Sequence, residues 1–265
     1  MINYGLNMII FGPAKHGKSW MGDTTPAPRL VLDAEGGSRF TPSKKVLWDP
    51  SQPPPVYDGS WDSAIVYVRE YRTVLRAYEW LNSGKHPFNS VVLDSISEIQ
   101  QRSVDDLVGP EQMRTQDWGA LLRVVSDLVR KFRDLNTNPI RPLDAVVFIA
   151  MAKEVEGVWR PHIQGQLGIT FPYYVDVCSY LAIVNRDDGV PVHRLYVAPA
   201  TGFVTGERVG GRLGPYLDNP SISSMIEMVR GDDGAPPLPM AVPPSSPPPM
   251  QDAIPATTEQ SYEEG

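Results

Sequence analysis

Residues 12–19 read Gly12-Pro13-Ala14-Lys15-His16-Gly17-Lys18-Ser19. The octet has the spacing of a phosphate-binding loop: glycine, four residues, Gly-Lys, then serine or threonine. The chemistry needs that spacing. Gly12 and Gly17 allow a tight turn in which the N–H groups of the octet point inward at phosphate oxygens. Lys18 is placed to reach the β- and γ-phosphates, and the Ser19 hydroxyl to ligate Mg²⁺. His16 sits at a variable position and is expected to contribute backbone only. Leu6-Asn7-Met8-Ile9-Ile10-Phe11, just ahead, is an apolar run that reads as a buried strand feeding the loop.

Working outward, Pro26 and Pro28 force the helix after the loop to be short. Arg29–Asp33 reads as a second strand, ending at Ala34-Glu35-Gly36-Gly37. Pro50, Pro53, Pro54 and Pro55 mark a loop. Helical periodicity runs from Tyr71 to Leu81, with Val74, Leu75, Tyr78 and Leu81 on one face. Ser90–Asp94 is a third strand, followed by a helix over Ile96–Val108. A second amphipathic helix is expected over Trp118–Leu135, and Ala145–Ala150 is a fourth buried strand. Val177–Val184 and Val192–Val197 flank Asp187-Asp188-Gly189, which reads as a hairpin. Alternating helices and continuous apolar strands predict an α/β fold, a mainly parallel sheet flanked by helices. No internal repeat is visible.

At 265 residues the chain suits one domain, placed at 1–230, with an appendage over 231–265. That appendage carries nine prolines and six acidic residues with no Lys or Arg. Its composition cannot bury enough apolar surface to offset ordering entropy, so it is expected to be a disordered, Pro-rich acidic tail, either a passive solubilising end or one that docks a partner or inhibits the chain itself by competing with DNA for basic loops. Setting those six acids aside from the total of 31 leaves a near-neutral core against 24 basic residues, so the net charge of −7 does not exclude nucleic acid. Cys178 is the only cysteine, which excludes an intramolecular disulfide. There is neither a signal-peptide layout nor an apolar run of membrane-spanning length, and a cytoplasmic protein is expected. His86, His162 and His193 share no metal-ligand spacing with each other or with Cys178, so no structural zinc is expected.

Two acids complete the phosphate-loop reading. Asp94 ends an apolar strand at a separation suited to supporting Mg²⁺ beside such a loop. Glu35 ends the strand after the loop's helix, where a carboxylate can activate the water that attacks the γ-phosphate. Read as chemistry, the set is expected to bind ATP and Mg²⁺ and to hydrolyse the γ-phosphate.

Here a resemblance becomes specific. Val31-Leu32-Asp33-Ala34-Glu35 resembles the strand of RecA-type recombinases that carries their catalytic glutamate. Val91-Val92-Leu93-Asp94-Ser95 resembles their metal-side strand, and Val146–Met151 the strand leading into their second DNA-binding loop. The short first helix and Val175–Leu181 are similar to small phage-encoded RecA-like ATPases linked to single-strand annealing and recombination. The likeness covers residues 5 to about 217. It implies a RecA-like core, single-stranded DNA as partner, a homo-oligomer (ring or filament), a single-strand binding protein as a further candidate partner, and a bacterial host cytoplasm.

On that resemblance, residues 153–172 are the DNA loop, with Lys153, Trp159, Arg160 and His162 as contacts. Residues 102–114 are a weaker first loop. Arg208, with Arg212 second, is the cation that reaches a neighbouring subunit's γ-phosphate. The chain departs from the pattern at Met151, where RecA-type proteins place a γ-phosphate-sensing glutamine; Lys153 is the candidate substitute. The alternatives are a nucleotide-switched adaptor and a small P-loop kinase, although no compact arginine-rich lid is visible.

Overall fold

The computed structural model describes residues 5–108 and 115–231. The chain runs β1 (Leu6–Gly12), α1 (Lys18–Gly22), β2 (Arg29–Asp33), β3 (Lys45–Leu47), β4 (Ser63–Tyr67), α2 (Tyr71–Asn82), β5 (Ser90–Asp94), α3 (Ile96–Val108) and α4 (Thr115–Arg133). It continues through β6 (Ala145–Val155), β7 (Val158–Pro161), α5 (Leu167–Thr170), β8 (Val177–Asn185), β9 (Pro191–Tyr196), β10 (Gly206–Glu207), β11 (Tyr216–Asp218) and α6 (Ile222–Arg230). The tail beyond Gly231 lies outside the described residues. So do positions 109–114 of the first DNA-loop candidate; Arg102, at its start, is on α3 and paired with Glu98 at 2.9 Å.

The sheet order is β11-β9-β8-β1-β6-β5-β2-β4-β3, and from β8 to β3 every neighbour is parallel. The predicted α/β fold with a mainly parallel sheet is therefore the observed one. β9, β10 and β11 add antiparallel pairs at the β8 side. Parallel strands need covering on both faces, and the side chains of β1 alternate accordingly. Ile9 and Phe11 join the core under α2, α3 and α4, where Val74, Ile99, Val125 and Phe132 are buried. Leu6, Met8 and Ile10 face Met21 of α1 and Ile222, Met225 and Ile226 of α6.

Because these strands share one direction, their C-terminal ends share one edge. The register pairs Gly12 with Met151, Asp33 with Asp94, and Asp94 with Ile149. The phosphate loop and the Glu35 turn just after it are thereby brought together with Asp94, which lies about 60 to 80 residues farther along the chain. β6 lies between the phosphate-loop strand and the Asp94 strand.

Several expectations shift. β6 does not stop at Ala150 but runs on to Val155 and turns back through Glu156 (φ 53°) and Gly157 (φ 77°) into β7. Residues 153–161, the first half of the expected DNA loop, therefore form an antiparallel hairpin. α4 ends at Arg133 and a 3-10 turn takes residues 134–137. Cys178 is buried; its Sγ donates to Val204 O at 3.0 Å, and burial pushes the thiol up to about 12. No helix among the described residues is long and apolar enough to cross a membrane.

Candidate active site

The loop between β1 and α1 is shaped by two constraints. Gly17 precedes α1 with φ 87°, a left-handed conformation that penalises any side chain. Its missing Cβ would also lie 3.0 Å from the His193 ring. Lys18 Nζ donates to Gly12 O (2.9 Å) and Pro13 O (2.7 Å), which places the ammonium within the curl of the loop. Burial lowers its pKa, while Asp94 and Glu35 pull it back up.

Asp94 is 4% exposed. Burial pushes its carboxyl up to about 6, against a hydrogen bond from Ser19 that works the other way; Glu35 and Asp33 add to the rise and Lys18 opposes it. Gly37 closes this corner: a Cβ there would meet Ser19 Oγ at 3.2 Å and Asp94 Oδ2 at 3.9 Å. The arrangement fits Mg²⁺. The donors are hard oxygens, Ser19 hydroxyl and Asp94 carboxylate, and glycine leaves the space beside them open. Among the described residues no three His, Cys, Asp or Glu side chains are grouped to cage a metal. Ser19 and Asp94 would hold such an ion on one side and leave the rest of its shell to phosphate oxygens and water, as is usual for Mg²⁺.

Glu35 stands two residues beyond the end of β2, and the device holding it is Asp33. That buried carboxylate accepts from Glu35 N (3.1 Å), Gly36 N (2.6 Å), Ser38 N (3.0 Å) and Ser38 Oγ. Gly36, at φ 78°, makes the turn. The Glu35 side chain is steered from the neighbouring strand, since Ser95 Oγ donates to Glu35 Oε1. Ser95 Oγ also accepts from Glu98 N at 3.2 Å and so caps α3. Sequence reasoning passed over Asp33. An Asp whose carboxylate faces the amides two, three and five residues ahead, in a Gly-Gly turn, is the available signal.

Around these groups lies a cleft of about 1000 Å³, lined by the phosphate loop, Glu35, Gly37 and Asp94 and, farther out, by Trp20, Phe40, Met151, His162, His193 and Asn219. The octet, Glu35 and Asp94 are thus brought together as expected. Met151 occupies the position opposite Gly12, lines the cleft, and has no group with which to sense a phosphate. Ser97 Oγ fixes this corner by donating to His162 O (2.8 Å) and accepting from Met151 N (3.1 Å).

The four DNA-contact candidates divide. Lys153 and Arg160 are directly opposite each other across the hairpin, both half-buried, and Arg160 Nε is buried without a hydrogen-bond partner. His162 faces the cleft instead of an outer loop. Trp159 departs from the expected stacking role: its ring centroid lies 6.3 Å from that of Tyr180, its backbone N–H donates to Gly202 O (2.8 Å), and Val204 N donates back to its carbonyl (2.9 Å). The ring is partly buried and packs against the core, where the hydrophobic effect holds it.

The two arginines expected to act across subunits have work in their own chain. Arg208 Nε donates to Val175 O (3.1 Å) and pairs with Asp176 (3.3 Å), at the end of β8 remote from the phosphate loop. Arg212 Nη1 donates to Val229 O near the end of α6.

Residues 4–209 match the family model described as an AAA domain. No protein of curated function matches the sequence. Among solved structures, the chain is similar to one described as a prototypical ATPase from the type III secretion system of pathogenic bacteria. The identity is 13% and the TM-score 0.44, over 67% of this chain and 52% of that one. The chain spans about half the length of that ATPase.

Proposed function

The chain belongs to the AAA domain family, and from that premise we propose that it is a Mg²⁺-dependent ATPase whose turnover is coupled to single-stranded DNA, in phage homologous recombination or strand annealing. The observation that carries the hydrolytic half is the convergence of Lys18, Ser19, Asp94 and Glu35 at one edge of the sheet, with Glu35 steered by Ser95 and its backbone clamped by Asp33.

Loop amides and Lys18 hold the β- and γ-phosphates. Glu35 has one oxygen taken by Ser95 and one left for water. It orients that water in line with the β–γ bridge and takes its proton as the water oxygen bonds to the γ-phosphorus. The bridging P–O bond breaks, and its electron pair leaves on ADP. Mg²⁺, held by Ser19 and Asp94, would supply neutralisation of the charge on the bridging and γ-oxygens. Orientation is the chain's main contribution, and the twin anchoring of Glu35 provides it.

Support for the DNA half comes from the hairpin. Like charges directly opposite on paired strands repel, yet Lys153 faces Arg160. A polyanion lying along the hairpin relieves that repulsion, and phosphate contacts are made by such cations. β6 itself carries Met151 in the cleft and Lys153 two residues farther on, so one rigid strand joins the two sites.

The test is ATP turnover of the wild type and Lys18→Ala, with and without single-stranded DNA. DNA-stimulated turnover that vanishes in Lys18→Ala, and stimulation that is lost in a Lys153→Ala/Arg160→Ala double variant, is the expected result. Lys18-dependent turnover indifferent to DNA would leave a nucleotide-switched adaptor as the better reading.

A further inference from the structure

Trp20 directly follows the metal-side serine on α1, yet its side chain is 59% exposed while its neighbours Met21 and Gly22 are buried. Leaving a large aromatic in water forgoes its burial energy, and this one lines the cleft. Asn219 is brought to the same cleft by two separate ties. Asn219 Oδ1 accepts from His193 N (3.0 Å) and Asn219 N donates to His193 O (2.7 Å), while His193 Nδ1 sits 3.1 Å from His16 O of the phosphate loop. The residues after Pro220 are pinned to the end of α1, where Ile222 N donates to Thr24 Oγ1 (2.8 Å) and Ser223 Oγ to Thr24 O (2.7 Å). Asn219 holds a left-handed backbone (φ 47°) and is exposed. With its oxygen engaged by His193, its amide nitrogen remains a donor for a ligand in the cleft.

We propose that Trp20 and Asn219 form the seat of the nucleobase, with Trp20 as the stacking platform, Asn219 Nδ2 donating to a ring nitrogen of a purine, and His193 as the positioning residue that ties Asn219 to the phosphate loop. The proposal rests on the phosphate-loop reading above and deepens it. Exposed aromatic and free amide then have one explanation: the triphosphate directs the nucleoside out of the loop along the first turn of α1, where every base offers a π-face to stack and a purine offers an acceptor to the amide.

Calorimetric titration of the full chain with MgATP and with Mg²⁺–tripolyphosphate, which has the phosphates and no nucleoside, tests it. Trp20→Ala should weaken MgATP by about tenfold, the loss of one base stack, and leave tripolyphosphate within about twofold; Trp20→Phe, which keeps a ring, should restore most of the ATP affinity. Asn219→Ala should weaken ATP more than UTP. Equal weakening of ATP and tripolyphosphate by Trp20→Ala, or no weakening of either, overturns the nucleobase seat while Lys18→Ala still abolishes both and upholds the phosphate loop. If Lys18→Ala binds both ligands as the wild type does, the phosphate-loop reading falls and the seat falls with it.

Discussion

Replacing Asp94 with asparagine should make the ligand-free protein more stable at neutral pH and, at the same time, unable to use Mg²⁺. The size follows from the site. Asp94 titrates at about 6 in the folded chain against 3.8 for an ordinary aspartate, chiefly because burial strips water from the charged form. At 1.36 kcal/mol per pH unit the ionised carboxylate costs the fold on the order of 3 kcal/mol. Asparagine keeps the volume and can still accept from Ser19, but its amide must find partners of its own, so a net gain of about 1–3 kcal/mol is expected. With the folded value above the unfolded one, the native state holds its proton longer. Wild-type stability from this group is therefore fully present below about pH 4 and is lost as pH rises through 6. The advantage of Asp94→Asn should be near zero at pH 4 and complete by pH 7. Urea unfolding at pH 4.5, 6 and 7.5 without nucleotide or Mg²⁺ measures it, and thermal midpoints should move by roughly 2–4 °C per kcal/mol. MgATP should then stabilise the wild type and not the variant. A variant that is no more stable at pH 7.5, or a gap that ignores pH, would refute the assignment of Asp94 as a charge held ready for a cation.

The other residues make separate demands. Glu35→Gln should bind MgATP with near-wild-type affinity in a filter or calorimetric assay and lose roughly 10²–10⁴-fold in turnover; normal turnover removes Glu35 from the chemistry. Asp33→Ala strips the acceptor from three amides and a hydroxyl, so it should cost about 2–4 kcal/mol in urea unfolding and lower kcat with little change in nucleotide affinity. Gly37→Ala sets a methyl 3.2 Å from Ser19 Oγ and should raise the Mg²⁺ concentration needed for half-maximal turnover several-fold; an unchanged requirement would place the ion elsewhere.

Much of this site can be read in the sequence because its chemistry is local. The octet needs its glycines and lysine at fixed spacing, and strands buried on both faces, such as Val91–Leu93 and Val146–Ile149, show as unbroken apolar runs. What escapes depends on distant partners. β4 is a five-residue strand behind a proline-rich stretch, and only its pairing with β2 and β3 makes it one. β7 contains Arg160 and Pro161 and reads as loop; β6 supplies its hydrogen bonds, and the Glu156-Gly157 turn lacks the Asn-Gly signal of a tight hairpin. Trp159 looks available for stacking until the 200–204 segment closes on it. Arg208 looks free until Asp176 and Val175 are found beside it. Asp33 is a strand-end acid like many others, and its value as a clamp lies in the backbone path of the five residues after it.

Cys178 has a practical consequence. A thiol with a pKa of about 12 carries only about one part in 10⁵ of thiolate at pH 7, and the chain has no other cysteine. Wild-type protein should therefore be a silent background for maleimide dyes. A cysteine introduced at exposed Val155, on the tip of the β6–β7 hairpin, would take the label alone. Fluorescence from that single label then reports whether the hairpin moves when nucleotide binds, with no native cysteine removed first.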